Sequence, residues 1–157
     1  PSVFTILPQL LERAGPGQRG SITGIFTVLV DGDDMNDPVA DAARGILDGH
    51  IVLSRKLAHA NHFPAIDVLQ SVSRVMPRVS SEEAVAAANG ARSLLAAYAE
   101  VEDLIRVGAY VNGSDARADQ AIKANDGLKN FLTQGTTEML AEDPQMTLTQ
   151  LIHGPNR

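Results

Sequence analysis

Phe63 and Arg74 are the two side chains of this sequence whose types and spacing invite chemistry. Phe63 stands directly before Pro64, and eleven residues after it Arg74 closes the run Ser71-Val-Ser-Arg74. An aromatic face can pack on a planar base, and a planar guanidinium can meet phosphoryl oxygens with paired donors. Read by pattern alone, such residues are more often a core aromatic and a surface cation, so plain packing is the better reading at this point and a nucleotide site the sharper one.

Other candidates carry less. Gly15-x-x-x-x-Gly20-Ser21 imitates the glycine spacing of a phosphate-binding loop. It has Ser21 where that loop needs a lysine, and it follows an expected helix and precedes an expected strand, the reverse of the working order, so it reads as a turn. His50, His59, His62 and His153 form no His-x-x-x-His pair with an intervening acid, and Pro64 cuts short any helix that would align His59 with His62. They read as surface or packing histidines, and no metal site is expected. Asp33-Asp34-Met35-Asn36-Asp37 offers oxygens to a hard cation but lacks the alternation and closing Glu of a calcium loop, so a solvated loop or a protein contact is the better reading. Without a cysteine or a Gly-x-Ser-x-Gly elbow, nucleophilic catalysis has no support.

Composition narrows the classes. A net charge of −6 and a pI near 5.1 give no broad basic footprint, so nucleic acid is not an expected partner. With 44% apolar and 20% charged residues in a chain of 157, the expected class is a folded, soluble body with its own core. No apolar run approaches the roughly 20 residues of a membrane span, and the start shows no basic segment leading into an apolar one. It also lacks an initiator Met, so a piece of a longer protein is expected.

The elements that must hold Phe63 and Arg74 can be read from periodicity. Residues 2–14 have helical spacing with Ser2 as cap, and Gly15 to Gly20 make a turn. Residues 21–30 are rich in β-branched side chains and nearly continuously apolar, as in a central parallel strand buried on both faces. Asp37 caps a helix opening on Pro38 and stopping near Gly49. Residues 50–54 read as a second short buried strand, and 55–60 as a turn or two of helix. From Ser80, whose spacing to Glu83 is that of a capping box, a long helix over 84–107 measures on the order of 40 Å. A break over 108–114, a helix from Asp115 to about Leu132, and short helices over 136–140 and 147–153 complete the chain. The fold class is α/β followed by all-α, with a division near residue 79. So few strands leave an exposed sheet edge, which argues for a larger sheet whose other strands precede Pro1.

Gly20-Ser-Ile-Thr23, Asp33-Asp-Met-Asn-Asp-Pro38, Ile46-Leu-Asp-Gly-His-Ile-Val-Leu-Ser-Arg55 and Phe63-Pro-Ala-Ile-Asp-Val-Leu-Gln-Ser-Val-Ser-Arg74 together resemble the catalytic subunits of the rotary ATP synthase superfamily. Val30-Asp-Gly-Asp-Asp34 and Val107-Gly-Ala-Tyr-Val-Asn-Gly-Ser-Asp115 bring the sequence nearer to the flagellar protein-export ATPases than to their virulence type III secretion relatives. The resemblance runs in order along essentially the whole chain. It implies that residues 1–79 are the end of a P-loop, RecA-type nucleotide-binding domain and 80–157 a C-terminal helical domain. The phosphate-binding loop, the magnesium-holding Asp and the catalytic Glu are then expected upstream of Pro1, so that this segment alone binds neither ATP nor Mg2+ and is inactive.

By that resemblance Arg74 is an arginine finger acting in trans on a neighbouring subunit's nucleotide, and Phe63 packs against the adenine of its own. The intact protein is expected to hydrolyse ATP with Mg2+ in a homohexameric ring and so energise flagellar (type III) protein export. Its expected place is the cytoplasm at the inner face of the membrane near the export gate, where peripheral membrane association is allowed. Export apparatus proteins, a central stalk protein and export chaperones are the implied partners. Asp33, Asp34, Asn36 and Asp37 match a pore-facing segment and are expected to meet a basic partner. Two departures limit the resemblance: Thr136 stands where synthase relatives place a second aromatic on adenine, and Val111-Asn-Gly-Ser-Asp115 replaces their acidic, shaft-facing segment. The alternative is a non-enzymatic module whose helical lobe docks export chaperones.

Overall fold

The structure is a computed structural model that describes residues 2–30, 32, 34, 37–137 and 143–153. The chain separates into two compact units, Pro1–His50 and Ile51–Arg157.

In the first unit, α1 (Val3–Leu11) packs on α2 (Pro38–Ile46). The Ser2 side chain makes no capping bond, contrary to expectation, because Ser2 already has helical backbone angles and its carbonyl serves as the first acceptor. Pro8 sits inside α1, where it removes one hydrogen bond of a short helix. The start of α2 is as expected. The Asp37 carboxylate accepts from the backbone N–H of Val39 at 2.8 Å and of Ala40 at 3.0 Å, and Pro38 occupies the first turn.

The glycine-rich turn is tighter than the sequence suggests. β1 (Gly15–Gly17) and β2 (Gly20–Ile22) form an antiparallel hairpin with Gly17 opposite Gly20. Gly15 and Gly20 have φ of 138° and 150°, a backbone that side-chain-bearing residues rarely adopt. The buried central strand expected over 21–30 is not formed: regular pairing stops at Ile22, and Ile25 and Leu29 are 93% and 91% exposed. Apolar β-branched side chains favour an extended backbone but cannot supply its hydrogen-bonding partner, and among the described residues no strand pairs with this run beyond Ile22.

β3 (Gly49–Leu53) appears within a residue of its expected position but is not buried as a whole. Val52 is enclosed, while Ile51 and Leu53, on the opposite face, are both 71% exposed. Its partner, β4 (Ile66–Ser73), was not expected from the sequence. Between them lies α3 (Arg55–His59), capped by the Ser54 hydroxyl, and after β4 comes the single turn α4 (Met76–Val79).

The second unit is built on α5 (Glu82–Arg106), α6 (Ala116–Leu132) and α7 (Pro144–His153). Ser81, one residue later than expected, caps α5 by accepting from the Ala84 N–H at 3.2 Å. The backbone N–H of Glu83 and then the Ser81 hydroxyl hold the Glu83 carboxyl below its ordinary pKa. Asp115 caps α6 through the Arg117 and Ala118 N–H groups. The break between these helices is closed by Asp119, whose carboxylate accepts from the Tyr110 hydroxyl at 2.9 Å and the Gly113 N–H at 2.8 Å. α7 begins earlier than its expected 147, because Pro144 fits a first helical turn and the Asp143 carboxylate accepts from the Met146 N–H. The helix expected over 136–140 falls largely outside the described residues.

Ala87, Ala91, Leu94, Ala97, Ala121, Leu128 and Ile152 make one buried seam among the three helices. Small side chains let the helices approach closely, and two glycines seat α7. A Cβ on Gly90 would meet Ile152 at 3.2 Å, and one on Gly127 would meet Leu151 at 2.7 Å. Leu128, 1% exposed, fills the centre. Leu128→Ala should therefore lower unfolding stability by about 2–5 kcal/mol, read from the midpoint of chemical denaturation.

Candidate functional site

Phe63 follows α3 in a short loop that includes Asn61 at φ 57° and a cis Phe63–Pro64 peptide. The loop is tied to the end of α6. The Phe63 carbonyl accepts from the Gln134 N–H at 2.7 Å, and the Thr133 hydroxyl lies 3.2 Å from His62 Nδ1. These bonds fix the backbone, and Phe63 remains 49% exposed rather than joining the core. An aromatic residue half open to solvent is available for a planar ligand.

Arg74 directly follows β4 and is exposed. The chain turns immediately after it, with the Ser73 hydroxyl accepting from the Met76 N–H at 3.1 Å. β4 is held from two sides. From β3, the Val52 N–H donates to the Ser71 hydroxyl at 3.0 Å, and that hydroxyl donates to the Asp67 carbonyl at 2.6 Å. From α5, Arg92 donates through Nη1 to the carbonyls of Val68 at 2.6 Å and Ser71 at 3.0 Å, and through Nη2 to that of Leu69 at 3.2 Å. Charge-assisted bonds of this kind are stronger than neutral ones.

Of the sequence-predicted residues, Phe63 and Arg74 lie in the Ile51–Arg157 unit, at opposite ends of the segment that contains β4. Asp34 and Asp37 belong to the other unit. Asp37 is committed to the α2 cap, and the exposed Asp34 accepts the Asp37 N–H through its carbonyl at 3.1 Å. Asp33 and Asn36 lie outside the described residues. Thr136 sits in an exposed turn. Sequence reasoning missed Arg92, Thr133 and Gln134. A signal for Arg92 existed, a charged side chain one position from the buried Ala91 in a helix of alanines and leucines, but its target on β4 did not.

Residues 1–73 match the ATP synthase alpha/beta family, nucleotide-binding domain, and residues 80–153 match the type III secretion system EscN ATPase C-terminal domain. Each match spans a little under half of the chain, and between them the chain is similar to the ATP synthase alpha/beta family in its first part and to the type III secretion ATPases in its second. It is 55% identical over 154 residues to the flagellum-specific ATP synthase of Treponema pallidum (strain Nichols), covering 98% of this chain and 34% of that relative. It is similar at 50% identity and a TM-score of 0.91 to the assembled ATPase EscN from the enteropathogenic E. coli type III secretion system, over 97% of this chain and 37% of that one. A structure of EscN in complex with its central stalk EscO gives 48% identity and a TM-score of 0.84, over 97% and 36%. The chain thus spans about a third of the length of the curated relatives it matches. The expected fold class, a nucleotide-binding α/β part followed by a helical part, agrees with these matches.

Proposed function

We propose that this chain is the part of an export ATPase subunit that contributes to two nucleotide sites at once: Phe63 packs on the adenine of the subunit's own nucleotide, and Arg74 reaches the nucleotide of a neighbour. The observation that carries the reading is that both side chains are presented to solvent while their backbones are pinned to the helical lobe, Phe63 through Gln134 and β4 through Arg92. On this reading residues 1–79 complete the nucleotide-binding domain and 80–157 form the helical domain.

The residues present fit the two ends of ATP. A half-exposed phenylalanine can cover a base, and an exposed guanidinium can meet phosphoryl oxygens. Mg2+ would neutralise charge between the phosphates, but its ligands are not proposed from this segment: among the described residues no group of three or more His, Asp or Glu is placed to hold a metal. Arg74 acts where charge spreads over the oxygens of the transferring phosphoryl group. A planar, permanently charged donor meets that charge without losing a proton, and a finger of this type supplies on the order of 10³ to 10⁵ in turnover.

The intact protein would hydrolyse ATP in a homohexameric ring in the cytoplasm, at the inner face of the membrane, to energise flagellar or type III protein export. The names of its relatives support the ATPase and export parts of this reading, and the assembled state of EscN supports the ring. Central stalk and export chaperones would be its partners, the former by analogy with EscN and EscO. Asp33, Asp34, Asn36 and Asp37 would face a basic stalk segment, Asp37 while one of its carboxylate oxygens caps α2.

Three outcomes are expected in the intact subunit. Arg74→Ala should lower kcat by about 10³-fold or more with ATP affinity nearly unchanged, and normal turnover would overturn the finger. Phe63→Ala should weaken ATP and GTP binding alike by roughly 10- to 100-fold, the range of one lost base stack, because stacking has little base selectivity. Reversing Asp33 and Asp34 to Lys should weaken binding of the central stalk protein in a titration, and unchanged binding would remove the acidic-loop contact.

A further inference from the structure

The hydrogen bonds of β4 depart from those of a regular strand between its start and Arg74, which indicates a bend there. In a regular strand successive carbonyls point to opposite sides. Val68 and Leu69 are adjacent, yet both carbonyls reach the Arg92 guanidinium, and the Ser71 carbonyl joins them. The same stretch carries turn-like bonds inside the strand. The Asp67 carboxylate accepts from the Gln70 N–H at 3.0 Å, and the Asp67 carbonyl accepts the Ser71 hydroxyl four residues on. Three carbonyl dipoles turned toward one point repel one another unless a cation lies among them. Arg92, half-buried on α5, is that cation.

We propose that Arg92 is a positioning residue for Arg74. By gathering the carbonyls of Val68, Leu69 and Ser71 it sets the bend of β4, and with it the direction in which the strand delivers the side chain three residues after Ser71. Beside its pairing with β3, the strand is held at this point by side chains, the Val52 N–H donating to the Ser71 hydroxyl and Arg92 to the Ser71 carbonyl. The far end of Arg92 is fixed because its neighbours Ala91 and Leu94 lie in the buried helical seam. The aim of Arg74 is therefore a property of the helical lobe as much as of its own strand. A lysine retains the charge at Arg92 but has one nitrogen where two are in use, so it can hold only part of the bend.

This inference rests on the reading of Arg74 as a finger, and a double-mutant cycle in the intact ATPase separates the two. Misplacing a catalytic group by about 1 Å costs on the order of 10²-fold. Arg92→Leu is expected to lower kcat by roughly 10- to 100-fold with KM for ATP and equilibrium ATP binding unchanged, and Arg92→Lys by less. With Arg74→Ala already present, adding either change should have no further effect on kcat, because nothing remains to be aimed. A purely structural Arg92 would instead lower the melting temperature and multiply with Arg74→Ala. That result, or unchanged kcat in both Arg92 variants while Arg74→Ala is impaired, overturns this inference alone. Normal turnover in Arg74→Ala overturns the finger and this inference together. Should Arg92→Leu fail to fold, Arg92→Lys carries the cycle, with active sites counted by ATP binding.

Discussion

The guanidinium of Arg92 is the physical link on which the site depends. A strand is ordinarily positioned by its neighbours in a sheet, but β4 has one described neighbour, β3, and departs from regular geometry where Arg92 meets it. Ser71 is held from both directions, its hydroxyl by the Val52 N–H and its carbonyl by Arg92. The bend is thus secured by a charged side chain from a helix and a hydroxyl within the strand. Removing the guanidinium would take the donor from three carbonyls at once, those of the part-buried Val68 and Ser71 among them.

That arrangement requires a stiff helix behind it. The seam of alanines around Leu94, Leu128 and Ile152 gives α5, α6 and α7 a close-packed base, and Gly90 and Gly127 exist as glycines because α7 side chains lie where their Cβ atoms would be. The same lobe reaches Phe63 by way of the Gln134 N–H. Both candidate side chains are therefore displayed outward from backbone that the helices restrain. This is how a site composed of exposed residues can be ordered without being buried.

Much of the first unit's apolar surface has the opposite character. Ile25 and Leu29 are almost fully exposed, and in the second unit Ile51 and Leu53 on β3 are 71% exposed. Such surface is ordinarily covered by further strands or another chain. On the proposed reading it is the part of the nucleotide-binding domain that meets the remainder of the subunit, in keeping with the third of its relatives' length that this chain spans.

The elements governed by local physics were legible in the sequence. Asp37 and Asp115 cap the helices that follow them, α5 and α6 run close to their expected lengths, and the break at Gly108–Ser114 falls where glycine permits φ values of 72° and 88°. Capping, helix propensity and turn chemistry are satisfied within a few residues, so a linear reading suffices. Motif order likewise revealed the family resemblance and drew attention to Phe63 and Arg74. Strand partners were not legible: residues 21–30 have the composition of a buried strand without its pairing, and β4 went unread because its Asp67 and Ser71 side chains serve a bend rather than an alternating face. Nor could the sequence say that Arg92 belongs to residues 21 to 24 positions earlier. Sequence fixes which side chains can do the chemistry. The tertiary structure alone decided what aims them, because the donors and acceptors that hold Phe63 and β4 come from distant parts of the chain.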